Sequence, residues 1–104
     1  MRHVVSIAAV LWSCTATAQA PASAEALYLR GAAATCATCH GTDGRSAATD
    51  AGLQRLAGLD KAYLVEQLTA FREGRRPATV MQQLAKGYTP AQIEQIAAYF
   101  AAQK

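Results

Sequence analysis

The chain has 104 residues, enough for one domain, and with 52% hydrophobic and 16% charged residues it is not a disordered polyelectrolyte. Ten Lys and Arg against seven Asp and Glu give a formal charge of +3, but the longest basic cluster is Arg75-Arg76, which excludes a nucleic-acid footprint. Two Phe and one Trp leave any core light in aromatic rings.

Residues 1–20 begin with Arg2 and His3, continue with an apolar run from Val4 to Trp12 and end in Ala18-Gln19-Ala20. This is the pattern of a Sec-type signal peptide, with cleavage expected after Ala20 and export to the periplasm. The apolar run is too short to serve as a spanning anchor, so no stable membrane insertion is expected after cleavage. Trp12 argues against Cys14 as a lipidated cysteine. Cleavage leaves residues 21–104, in which His40 is the only His, Met81 the only Met, and Cys36 and Cys39 the only Cys. A chain so short and so rich in Ala is marginal by burial alone. A Cys36–Cys39 disulfide would close a tiny loop and constrain little. A metal or cofactor is therefore the expected staple.

The remaining elements read as helix. Residues 25–35 are rich in Ala and Leu, place Leu27, Gly31 and Ala34 on one face, and run into Cys36-Ala37-Thr38-Cys39-His40. Residues 41–58 are rich in Gly, Asp, Ser and Thr and read as loop. Asp60 is an N-cap for a helix that Gly74 ends, with Leu64, Leu68 and Phe71 as its buried stripe. A connection containing Pro77 leads to Met81 in a loop, and 82–86 form a helical turn ended by Gly87. In the last helix Thr89 is the N-cap, Pro90 is N1 and Gln92 completes a capping box. Ile93, Ile96, Ala97 and Phe100 form its apolar face. No run alternates with period two for long enough to make a strand, and no linker interrupts the single domain expected over residues 21–104.

Cys36-Ala37-Thr38-Cys39-His40 is a CxxCH, the c-type haem attachment signature. Two thiols spaced by one helical turn match the two vinyl groups of haem, and the following His lies beneath the iron as proximal ligand. A thioredoxin-like dithiol would need a strand–helix–strand context, which is missing. A closed zinc site wants four Cys or His ligands, and residues 21–104 offer three. Strong sixth ligands to haem iron are His or Met, which leaves Met81. Lys61, Lys86 and an open position are the alternatives, and a core gap-filler is the plain role of a lone Met. His/Met ligation fills both axial positions, raises the potential and suits one-electron transfer, with no catalytic residue. A labile Met81 would instead suit a haem-based sensor or peroxidase. Leu56, Leu64, Leu68, Val80 and Ile96 are candidate haem-packing residues, and plain core residues otherwise. Arg45, Arg75 and Arg76 are candidate propionate partners, and solvated arginines otherwise. The second ring N–H of a proximal His usually donates to a backbone carbonyl, expected here from residues 53–57.

These residues together resemble a class I c-type cytochrome over nearly all of residues 21–104. The resemblance implies an all-α fold of three to four helices around one covalently attached haem c. It implies N- and C-terminal helices crossing near Gly31 and Tyr99, and a haem with one edge exposed. It also implies a proximal carbonyl at Gln54, before Arg55-Leu56-Ala57-Gly58, where the family usually has Pro. The segments CHGTDGRS, RLAGLDKAYLVEQLTAFREGRRPATVM and LAKGYTPAQIEQIAAYFAAQK are, more narrowly, similar to the cytochrome subunit of flavocytochrome c sulfide dehydrogenase. That likeness implies an FAD-containing flavoprotein partner that oxidises sulfide, and a downstream periplasmic or membrane electron acceptor. A free periplasmic shuttle between respiratory complexes would share much of the pattern. Some relatives carry two haems; this chain has one CxxCH.

Overall fold

The computed structural model describes residues 22–47 and 53–104. The expected leader, residues 1–20, lies outside the described residues, and so does part of the 41–58 loop. Side-chain caps decide where the long helices begin. Ser23 Oγ accepts the Ala26 N–H at 3.1 Å and opens α1, Ala24–His40. Asp60 Oδ1 accepts the Tyr63 N–H at 2.9 Å and opens α2, Lys61–Arg72. The short helix α3, Met81–Lys86, begins at Val80 with no side-chain cap. Thr89 and Gln92 cap α4, Pro90–Ala101, reciprocally, with Pro90 in the first turn, as the sequence predicts. No strand occurs among the described residues, in keeping with the all-helical expectation.

Two predicted boundaries move. The helix read over 25–35 continues through the whole CATCH segment and stops at His40. Met81, expected in a loop, is the first residue of α3. It joins the helix because the Val80 carbonyl already accepts the Gln83 and Leu84 N–H groups, at 3.0 and 3.1 Å.

The core is a small cluster: Ala32 and Ala33 from α1, Leu64 from α2, and Ile96, Ala97 and Phe100 from α4. The predicted α4 face is buried as expected. The predicted α1 face is not. Leu27 is 58% exposed, and Gly31 and Ala34 face outward. A Cβ at Gly31 would have nothing within 4 Å, so α1 and α4 do not cross on Gly31. Ala32 and Ala33 take that role, packed with Ala97 and Phe100. Small methyl groups on both helices let the backbones approach. The face was hard to choose because α1 is apolar nearly all round. Tyr99 does pack against the cluster, and its hydroxyl donates to Asp43 Oδ1 at 2.7 Å.

The 41–58 loop contains a 3₁₀ turn, Thr42–Gly44, and is pinned by glycines. Gly44 is buried at φ +74°, and a Cβ there would come within 2.8 Å of the Phe100 ring and 2.9 Å of Leu56. Only Gly fits that position. Its carbonyl accepts the Leu56 and Ala57 N–H groups at 2.8 and 3.0 Å, and the Gly58 N–H donates to the Phe100 carbonyl at 3.0 Å. The returning limb of the loop, residues 53–58, is thereby fixed between the end of α1 and the end of α4.

Candidate functional site

His40 closes α1 because Gly41 follows it at φ +81°, where a Cβ would stand 2.8 Å from the Ser46 nitrogen. The Gly41 N–H donates to the Ala37 carbonyl at 2.9 Å, and the His40 carbonyl accepts the Ser46 N–H at 2.8 Å. The backbone at His40 is therefore held from both sides. Its Nδ1 lies 2.6 Å from the Gln54 carbonyl oxygen. A carbonyl only accepts, so Nδ1 carries the proton and Nε2 keeps its lone pair for a metal. This is the carbonyl that the sequence placed at 53–57.

His40 is one wall of a cavity of about 440 Å³. Cys36, Cys39 and His40 of α1 line it, Met81 of α3 lines it, and the walls between are largely apolar. Leu56, Leu64, Leu68, Val80 and Ile96, the predicted packing residues, all face it. Cys36 is half-buried, with Sγ 3.6 Å from the Ala32 carbonyl, and burial pushes its thiol pKa up. Cys39 is exposed at the rim. Neither Lys61 nor Lys86 lines the cavity, and Lys61 is paired to Glu94 at 2.8 Å.

The three candidate arginines separate. Arg45 Nε donates to the Lys104 carbonyl at 2.8 Å and its Nη1 to Asp43 at 2.9 Å; it does not line the cavity. Arg75 also lies off the wall, held by Glu66 at 2.9 Å and Glu73 at 2.6 Å. Neighbouring carboxylates took both side chains, a competition that spacing along the chain does not reveal. Arg76 does line the cavity. Its Nη1 donates to Gln67 Oε1 at 2.5 Å, and its guanidinium lies 4.6 Å from the Phe71 ring centroid.

Sequence reasoning missed several wall residues. Tyr63 and Gln67 line the cavity beside Leu64, Leu68 and Phe71, so the inward face of α2 is two rows wide. The i−1 neighbours of the two leucines were the available signal. Thr35 and Tyr88 also line it, their hydroxyls 3.2 Å apart, joining α1 to the segment before α4. No residue type marks that pair in advance, because the two are far apart in the chain.

Two thiols and a tautomer-fixed imidazole on one helix end, a thioether on another element, and apolar walls between them fit a covalently tethered haem. Among the described residues no cluster of three or more His, Cys, Asp or Glu stands ready to hold a bare metal ion. Helices around a CxxCH-lined cavity define a class I c-type cytochrome. The comparisons agree: the cytochrome c family profile matches residues 28–104, and the chain belongs to that family. Family membership brings the class I cytochrome c fold and a covalently attached haem c, so the protein is a monohaem-type electron carrier.

The chain is similar to the cytochrome subunit of sulfide dehydrogenase from Chlorobaculum tepidum, 43% identical over 65 residues, 62% of this chain and 56% of that protein. It is 38% identical to a thiosulfate dehydrogenase electron acceptor from Thiomonas intermedia over 104 residues, 96% of this chain and 43% of that protein. The solved structure of cytochrome c4 from Acidithiobacillus ferrooxidans superposes with a TM-score of 0.60 at 36% identity, covering 71% of this chain and 49% of that one. The chain spans about half the length of these relatives.

Proposed function

We propose that Cys36 and Cys39 hold haem c through thioether bonds, that His40 is the proximal iron ligand and Met81 the distal one. The supporting observation is the 2.6 Å contact from His40 Nδ1 to the Gln54 carbonyl, on a cavity wall shared with both thiols and with Met81. The bound haem supplies the ferric/ferrous couple. The chain does the rest. Gln54 keeps His40 in one tautomer and one ring orientation, so the ligand does not rearrange as the charge changes. Leu56, Leu64, Leu68 and Val80 line the cavity and would pack against the macrocycle. Arg76, which lines the cavity, would be the arginine to meet a propionate; Arg45 and Arg75, which do not line it, would not. As the distal ligand, Met81 would occupy the remaining iron position and leave none for oxygen or peroxide, which disfavours a haem-based sensor or peroxidase.

The finer reading is that this carrier works in the periplasm, exported by residues 1–20, and accepts electrons one at a time from an FAD flavoprotein that oxidises sulfide. The likeness to the sulfide dehydrogenase subunit supports it. The chain itself has no catalytic group and passes the electrons to a downstream periplasmic or membrane acceptor. A second reading is a shuttle that serves another dehydrogenase or moves freely between respiratory complexes. The likeness to the thiosulfate dehydrogenase acceptor, which extends over almost the whole chain, favours it. Among the described residues no helix is long and apolar enough to cross a membrane. Gentle purification of the untagged protein from its native cells separates the two readings. The expected preparation carries flavin absorbance beneath a haem c spectrum, and sulfide bleaches the flavin and reduces the haem. A haem spectrum with no accompanying flavin and no response to sulfide selects the shuttle.

A further inference from the structure

We propose that Arg76 is a latch that holds the Met81 segment down on the cavity, with Gln67 and Gln82 as its two catches. The inference rests on the reading of Met81 as the distal ligand. Four contacts meet at Arg76. Its backbone N–H donates to the Ala70 carbonyl at 3.2 Å. Its Nη1 donates to Gln67 Oε1 at 2.5 Å, and its guanidinium stacks on Phe71 at 4.6 Å. These three fasten it to α2. The fourth reaches forward: the Arg76 carbonyl accepts Gln82 Nε2 at 2.9 Å. Gln82 is the residue after Met81, so this bond closes the 76–82 segment on itself beside the ligand.

The start of α3 has no side-chain cap, and Val80 is 57% exposed. Arg76, Gln67 and Gln82 are all half-buried, so their contacts are partly shielded from water. The partners also dictate which end of each amide is used. A guanidinium only donates, so Gln67 must present its oxygen. A carbonyl only accepts, so Gln82 must present its NH₂. An external ligand reaches the iron only when the Met81 segment lifts, and its apparent affinity scales with the open fraction. Loss of one neutral hydrogen bond should raise that fraction by roughly two- to tenfold.

The experiment is an imidazole titration of the ferric holoprotein, followed by loss of the thioether-to-iron charge-transfer absorption. Gln82→Ala and Gln82→Glu should both bind imidazole roughly two- to tenfold more tightly than wild type, because a carboxylate cannot replace the lost donor. Gln67→Ala should shift in the same direction. Gln67→Glu should stay near wild type, since its oxygens still accept from Arg76. Haem attachment and helical circular dichroism should be unchanged in the two Gln82 variants, whose side chain does not line the cavity. Wild-type affinity in Gln82→Ala or Gln82→Glu overturns the latch, and so does a variant that melts earlier without binding imidazole more tightly. Met81→Ala separates the two levels of the argument. Charge-transfer absorption present in wild type and lost in Met81→Ala, with Gln82→Ala binding as wild type does, sinks the latch alone. A wild type without that absorption sinks the ligand reading and the latch with it.

Discussion

On the proposed ligation, Met81 is the residue on which the chemistry turns. Met81→Ala should leave haem attached through Cys36 and Cys39 but free the sixth position, so the ferrous variant should bind carbon monoxide readily where wild type does so poorly. A variant that keeps the wild-type spectrum and excludes carbon monoxide would rule out the assignment. Tyr99 offers a pH test. Its hydrogen bond to Asp43, helped by partial burial, raises the phenol pKa above its ordinary value. The folded state therefore holds that proton more tightly than the unfolded state does. The stabilisation is complete below pH about 10 and is lost as pH rises through the folded pKa. Tyr99→Phe should cost about 1 kcal/mol at neutral pH and flatten that alkaline decline, as read by denaturant midpoints across pH. At this scale the sequence narrowed the candidates where a residue type was unique: residues 21–104 hold one His and one Met. It was uninformative for the arginines, whose long side chains went to whichever carboxylate folding brought near.

Among the elements, those with caps and strong periodicity were the readable ones. Asp60, Thr89 and the Ile93–Ile96–Ala97–Phe100 face were visible in advance because each is a local pattern with a local cause. The buried side of α1 was not, since a helix of alanines offers no contrast between faces, and the choice falls to what α4 presents. The width of the α2 wall was missed for a related reason. Tyr63 and Gln67 carry polar tips and look like surface residues, yet both line the cavity. The loop 41–58 makes the sharpest prediction at this scale. Gly44→Ala places a methyl group against Phe100 and Leu56 at a left-handed backbone position. It should cost roughly 2–4 kcal/mol, the sum of backbone strain and overpacking. Because Gly44 anchors Leu56 and Ala57, the Gln54 carbonyl should drift from His40 and the reduction potential should move as well. An unchanged melting temperature would refute this account of the loop.

For the molecule as a whole, the polypeptide contributes little core of its own. Ten hydrophobic residues are buried among the described residues, and six of them are alanines. The larger apolar side chains, Leu56, Leu68, Val80 and Leu84 among them, turn to the cavity. Folding and haem attachment should therefore be one event. Cys36→Ala with Cys39→Ala should yield a chain without cooperative thermal unfolding by circular dichroism. A sharp transition in that double variant would show that the alanine core suffices. The all-helical architecture could be foreseen from composition and caps, whereas the cavity's shape could not, because it is a space left for something other than amino acids.

The His40–Gln54 contact has a consequence for how such a chain can diverge. The bond is made by main chain at position 54, whose side chain is exposed. The position is free to drift, and a saturation library there should be tolerated almost throughout. Position 44, which touches no ligand, should accept almost nothing. The carbonyl that orients the proposed iron ligand is thus guarded by a glycine ten places away in the chain rather than by the residue that provides it.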